Sequence, residues 1–200
     1  AVRLCEILDT PSIPESGAPM KPDGVVVEVN DVSYSYGDNQ ALRGVSLVLN
    51  PGTMTALIGP SGSGKSTLAT LIARFDDPES GSIRLGGVDL RDISSRDLYS
   101  AVSFVLQDPM LINASIGRNI SLAKPDASLE EIREAARTAQ IDDFIMSLPK
   151  GYDSVLGTDC SLSGGESQRV SIARALLADT PVLIMDEATA FADPDSELEI

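Results

Sequence analysis

The chain has 200 residues, with no histidine, no tryptophan and only two cysteines, Cys5 and Cys160. Without histidine, acid–base or triad chemistry built on imidazole is excluded within this stretch. The cysteines lie far apart with no C-x-x-C spacing, which argues against a zinc site or a disulfide framework and fits a reducing cytosol. Positive charge is also scarce: 15 Lys and Arg stand against 30 Asp and Glu, a net charge of −15. That balance argues against nucleic acid as a partner and reads as a solvated acidic surface. No apolar run approaches the roughly 18 residues that would cross a bilayer. The N-terminus, beginning at Ala1, lacks the basic-then-apolar pattern of a secretory signal.

What is present is ordinary for a soluble globular chain, 42% hydrophobic and 22% charged, long enough for one sizeable core. Val2 to Leu8 has helical spacing that stops at Asp9-Thr10-Pro11, and Pro11, Pro14, Gly17, Pro19 and Pro22 make a linker. Val25 to Val29, Val32 to Tyr36 and Ala41 to Leu49 read as strands, ending at an Asn50-Pro51-Gly52 turn. Thr53 to Ile58 reads as an apolar strand and Ser66 to Arg74 as a helix, with further strands at Gly81 to Leu85 and Val102 to Leu106. Ile112 to Leu148 turns helical, and Ser128 with Glu131 spells a capping box before Ile132. Glu166 to Ala178 reads as a helix and Pro181 to Met185 as a strand buried at the centre of a sheet.

Between the Thr53 strand and the Ser66 helix lies Gly59-Pro60-Ser61-Gly62-Ser63-Gly64-Lys65-Ser66-Thr67, which fits G-x-x-x-x-G-K-[ST]. Its glycines let backbone N–H groups face phosphate oxygens unobstructed. In this pattern Lys65 reaches the β- and γ-phosphates, Ser66 offers its hydroxyl to Mg²⁺, and the helix dipole adds positive potential. Downstream, Val182-Leu183-Ile184-Met185-Asp186-Glu187 resembles a Walker B strand. There Asp186 is expected to hold Mg²⁺ through water and Glu187 to polarise the attacking water as general base. A second glycine pair, Leu162-Ser163-Gly164-Gly165-Glu166, heads a helix where another phosphate could dock.

The glycine loop, this second loop followed by Gln168-Arg169, and Leu183 to Glu187 come in an order that resembles the nucleotide-binding domain of ATP-binding cassette (ABC) proteins. The resemblance runs from Val25 onward. It implies an α/β fold: a P-loop NTPase core with an antiparallel β subdomain and an inserted α-helical subdomain, C-terminally truncated. On the matching positions it implies that Gly59, Ser61, Gly62, Ser63, Gly64, Lys65, Ser66 and Thr67 hold ATP. Gln107 resembles the Q-loop glutamine that touches Mg²⁺ and the attacking water, so Ser66, Gln107 and Asp186 form the metal set, with Glu187, Lys65 and Gln107 catalytic. Tyr36, before the Gly37 turn, sits where the family stacks an aromatic on adenine, with Tyr34 a competing assignment. Asp193 resembles the D-loop aspartate. Ser163, Gly164, Gly165 and Glu166 match the signature that closes over ATP held by a second such domain, identical or not, paired head to tail.

Val105 to Ile112, with Asn119-Ile120 and Gly151-Tyr152-Asp153, looks like exporter-fold transporters, whose ATPase domain follows membrane helices on the same polypeptide. The resemblance implies a tail of a preceding transmembrane helix and linker over 1–23 and an ABC domain over 24–200. Within it, 24–106 is the β subdomain and P-loop core, 107–162 the helical subdomain, and 163–200 the signature helix and Walker B. The implied location is the cytoplasmic face of the cell membrane. Only Thr158 to Ser161 separate Gly157 from Leu162, shorter than many exporters' cross-talk loop. Ala190-Phe191-Ala192-Asp193 departs from a common Ser-Ala-Leu-Asp and resembles iron–siderophore transporters. The family's switch histidine falls beyond Ile200, so the expectation is a fragment. Two other readings stand beside the transporter: a DNA-repair or chromosome ATPase, disfavoured by the absence of sustained heptads, and a non-hydrolytic regulatory domain, disfavoured by Glu187.

Overall fold

The computed structural model describes residues 13–186. The chain divides into two compact units, Ala1–Tyr99 and Ser100–Ile200. The expected helix at Val2 to Leu8 lies outside the described residues, and 13–26 carries no helix or strand.

In the first unit, β1 (Val27–Tyr36), β2 (Asn39–Leu49), β3 (Ser80–Leu85) and the short β4 (Val88–Asp89) form an antiparallel sheet in the order β2-β1-β3-β4. The two strands expected at Val25 to Val29 and Val32 to Tyr36 are one strand with a break in register. At the break Asp31 takes φ 50. Buried positions accordingly move from odd to even, from Val27 and Val29 to Val32 and Tyr34, because an extra residue turns the side-chain alternation over. Gly81 lies against the break: with φ +82, a Cβ there would stand 2.4 Å from the Asn30 and Asp31 carbonyl oxygens, so only glycine fits. Helix α1 (Lys65–Ile72) buries Leu68, Leu71 and Ile72.

The strand expected over Thr53 to Ile58 does not form. The segment has no strand partner among the described residues, and Met54 and Ile58 are 99% and 93% exposed. An apolar run supplies the side chains of a buried strand but not the neighbour whose ladder makes it one.

Helix α2 (Ser95–Ala101) runs directly into β5 (Val102–Val105). In the second unit β5 pairs in parallel with β6 (Val182–Met185), Val102 opposite Val182 and Val105 opposite Met185. The helical stretch Ile112 to Leu148 resolves into α3 (Ile116–Ile120), α4 (Leu129–Thr138) and α5 (Asp142–Ser147). The capping box on α4 is present: Glu131 N–H donates to Ser128 Oγ and Ser128 N–H to Glu131 Oε2 at 2.7 Å. Helix α6 (Gly164–Ala178) packs Val170, Ile172, Ala173 and Leu177 with Val105, Ile116, Ile120, Ala136 and Ile145 into one core. Its buried residues occupy several faces, which marks it as the unit's central helix.

One expectation for β6 is corrected. Leu183 and Met185 are exposed rather than sealed at a sheet's centre, because β5 is the only partner of β6 among the described residues.

Candidate nucleotide site

The glycine loop belongs to the first unit. Gly62 and Gly64 take φ of +77 and +87. A Cβ on Gly64 would stand 2.6 Å from the Ala41 carbonyl oxygen and 2.7 Å from Leu42 Cδ2, so the loop closes against β2 only through glycine. Ser63 N–H donates to the Pro60 carbonyl, and Lys65 Nζ donates to the Gly59 and Pro60 carbonyls at 3.0 Å, holding the lysine over its own loop. Gly64 is also the N-cap of α1. It offers no side-chain cap, and the first turn contains no acid. Such a helix start turns its backbone N–H groups and the positive end of the dipole outward, the arrangement that receives an anion.

At the end of β1, Tyr36 is 57% exposed and its ring meets that of Tyr34 edge-on, with centroids 5.0 Å apart. Tyr34 is buried and its hydroxyl donates to Asp76, a bond that helps push its pKa up to about 12. Of the two tyrosines, Tyr36 therefore has the ring available for stacking.

In the second unit, parallel pairing of β5 and β6 brings their C-terminal ends to one edge, where α/β sheets bind ligands. Gln107 and Asp186 lie there, and Asp186 N–H donates to the Val105 carbonyl at 3.1 Å. No group of three or more Cys, Asp or Glu gathers among the described residues. That is compatible with Mg²⁺, a hard ion commonly held by one or two protein oxygens and the nucleotide's phosphates. The oxygens of Ser66, Gln107 and Asp186 fit that chemistry. Lys65 and Ser66 belong to one unit, Gln107 and Asp186 to the other. Glu187 and Asp193 lie outside the described residues.

The second glycine loop is organised differently. Ser163 caps α6 in a full capping box: Glu166 N–H donates to Ser163 Oγ at 3.3 Å and Ser163 N–H to Glu166 Oε2 at 2.7 Å. The box leaves Gly164 and Gly165 outside it. Because the serine oxygen accepts, its own proton remains a donor to offer outward.

From the sequence, Gln168 counts only as part of the signature stretch, and Arg174 has no role. Gln168 is 2% exposed, and its Nε2 donates to the Leu106 carbonyl at 3.2 Å. Its Oε1 is buried without a hydrogen-bond partner. Arg174 donates to the carbonyls of Asn119 at 2.8 Å and Met110 at 3.0 Å, and burial lowers its pKa. For Arg174 the only prior signal was a guanidinium among the apolar Ile172, Ala173, Ala175 and Leu176.

Residues 42–190 match the ABC transporter family. The chain belongs to that family. These residues are its nucleotide-binding ATPase domain, in the α/β P-loop fold expected. The chain is 60% identical over 179 residues to the mycobactin import ATP-binding/permease protein IrtA of Mycolicibacterium smegmatis, covering 88% of this chain and 21% of that protein. It is 45% identical over 196 residues to the ATP-dependent lipid A-core flippase of Desulfotalea psychrophila, covering 98% of this chain and 34% of that one. A bacterial Atm1-family ABC exporter solved with ATP bound superposes with a TM-score of 0.89 at 38% identity, over all of this chain and 36% of that one. This ABC domain thus spans about a fifth to a third of the length of such relatives.

Proposed function

We propose that this ABC domain binds and hydrolyses Mg-ATP as the motor of a membrane transporter, at the cytoplasmic face of the cell membrane. Gly59 to Thr67 wrap the phosphates, Lys65 meets the β- and γ-phosphates, and Tyr36 carries the adenine. Ser66, Gln107 and Asp186 hold Mg²⁺, which would offset phosphate charge. Glu187 takes the proton of the attacking water, and Gln107 orients that water. Ser163, Gly164, Gly165 and Glu166 face the γ-phosphate of a second ABC domain's nucleotide, with Asp193 at the pairing surface. Loss of that bridging charge on hydrolysis releases the pair, and a transmembrane domain on the same polypeptide follows the movement. In this reading 24–106, 107–162 and 163–200 are the core, the helical subdomain and the signature–Walker B segment.

The observation that carries the reading is the Gly64 helix start, closed to any side chain and left without a cap. The transporter names of the relatives disfavour a DNA-repair role. In the full-length protein, Glu187→Gln should bind ATP, accumulate a nucleotide-bound dimer and stop turning over. Equal turnover by this variant and the wild type would remove Glu187 from the role of base.

The relatives also favour a cargo. Three IrtA proteins named for mycobactin import are 57–60% identical, against 44–45% for two lipid A-core flippases and 41% for an IrtB also named for mycobactin import. The cargo proposed is an iron–siderophore chelate. Vesicles carrying the full-length protein should show ATP-dependent movement of a ferric siderophore, and movement of a lipid instead would reverse the assignment.

A further inference from the structure

We propose that Gln168 is a positioning residue for Gln107, carrying the state of the signature helix to the water-orienting glutamine; this rests on the role given to Gln107 above. Three donors converge on one short segment of chain. Asp186 N–H holds the Val105 carbonyl at 3.1 Å, Gln168 Nε2 the Leu106 carbonyl at 3.2 Å, and Arg174 Nη1 the Met110 carbonyl at 3.0 Å. Gln107 lies between the last two anchors. Both anchors come from α6, less than two turns apart, and α6 begins at the signature glycines.

The Leu106 carbonyl shares its peptide plane with the Gln107 N–H. A donor fixed on that carbonyl therefore sets the direction in which the chain enters Gln107. The amide cannot be turned round, because a carbonyl oxygen accepts and Oε1 has no proton to give. A buried amide satisfied on one side only is a poor choice for filling space, since an apolar side chain of similar size leaves no orphaned oxygen. What the amide retains is the bond to Leu106. When a partner's phosphate draws the start of α6, a helix packed across several faces moves as one body, and its two anchors shift the Gln107 segment with it.

The test is a double-mutant cycle in the full-length transporter, reading ATPase kcat, KM for ATP and Tm. Gln168→Met should lower kcat about tenfold with KM and Tm unchanged, yet cost less than about twofold when Gln107 is already alanine, since effects of residues acting through one another do not add. The same loss in both backgrounds, no loss at all, or a loss accompanied by a fall in Tm would overturn the proposal. Gln107→Ala with wild-type kcat would instead sink the role of Gln107 itself. Gln168→Glu gives a second readout, because only its protonated form can donate to Leu106. Its kcat relative to wild type should recover as pH is lowered, and a flat ratio counts against the proposal.

Discussion

The chain builds two helix starts from glycine and serine, and they solve opposite problems. At α1 the cap is Gly64 in the left-handed region, which supplies no side-chain cap bond, and no acid lies in the first turn. At α6, Ser163 and Glu166 satisfy each other's backbone N–H groups. The first start forgoes a stabilising cap and keeps its donors for an anion. The second is stable by itself and has less to offer, chiefly the hydroxyl proton and the glycine amides outside the box. A site that grips its ligand and a site that only completes one have different local needs, and the caps reflect this.

Gly64→Ala is the sharpest way to break the comparison. Left-handed strain and the overlap with Ala41 should cost about 1–3 kcal/mol of stability and eliminate ATP binding, measured by denaturant titration and nucleotide titration. Lys65→Ala leaves the backbone intact and removes one charge-assisted contact, so ATP affinity should fall about ten- to hundredfold with little change in stability. At the other start the two roles of Ser163 can be separated. Ser163→Ala should cost about 1 kcal/mol through the lost cap. Ser163→Asp keeps a good cap and its stability but faces the partner's phosphate with a carboxylate, so ATP-dependent dimerisation measured by sedimentation should disappear. Dimerisation of the Asp variant at wild-type strength would show that Ser163 caps and does nothing more.

The smallest expected effect is at α4, which carries the same box as α6 without a phosphate role. Bonds from Lys124 and Ser128 pull the Glu131 carboxyl from 4.5 down to about 2. A depressed carboxyl contributes stability above its unfolded value and loses it as pH falls through the folded value. Protection of the first turn of α4 against hydrogen exchange should therefore hold above pH 4.5 and fade towards pH 2. Unchanged protection down to pH 2 would show that the box contributes nothing there.

The capping box on α4 was legible because its signal is local, with Ser128 and Glu131 one turn apart. The same spacing in Ser163 and Glu166 was read only as a place for a phosphate, and α2 was not expected. Strand pairing was less legible. Thr53 to Ile58 and Val182 to Met185 have the composition of central strands, yet the first is unpaired and the second half-covered among the described residues. Composition states what a segment can bury, and only a partner decides whether it does. The anchoring of Leu106 by Gln168 could not be read at all, since 62 positions separate donor and acceptor.

The exposed ring of Tyr36, braced edge-on by a buried tyrosine in a chain without tryptophan, has an optical consequence. The domain is dark at the wavelengths where indole emits. A single Tyr36→Trp exchange would therefore put this domain's one such fluorophore on the ring expected to meet adenine. Quenching on nucleotide addition would report each arrival directly, against no intrinsic background.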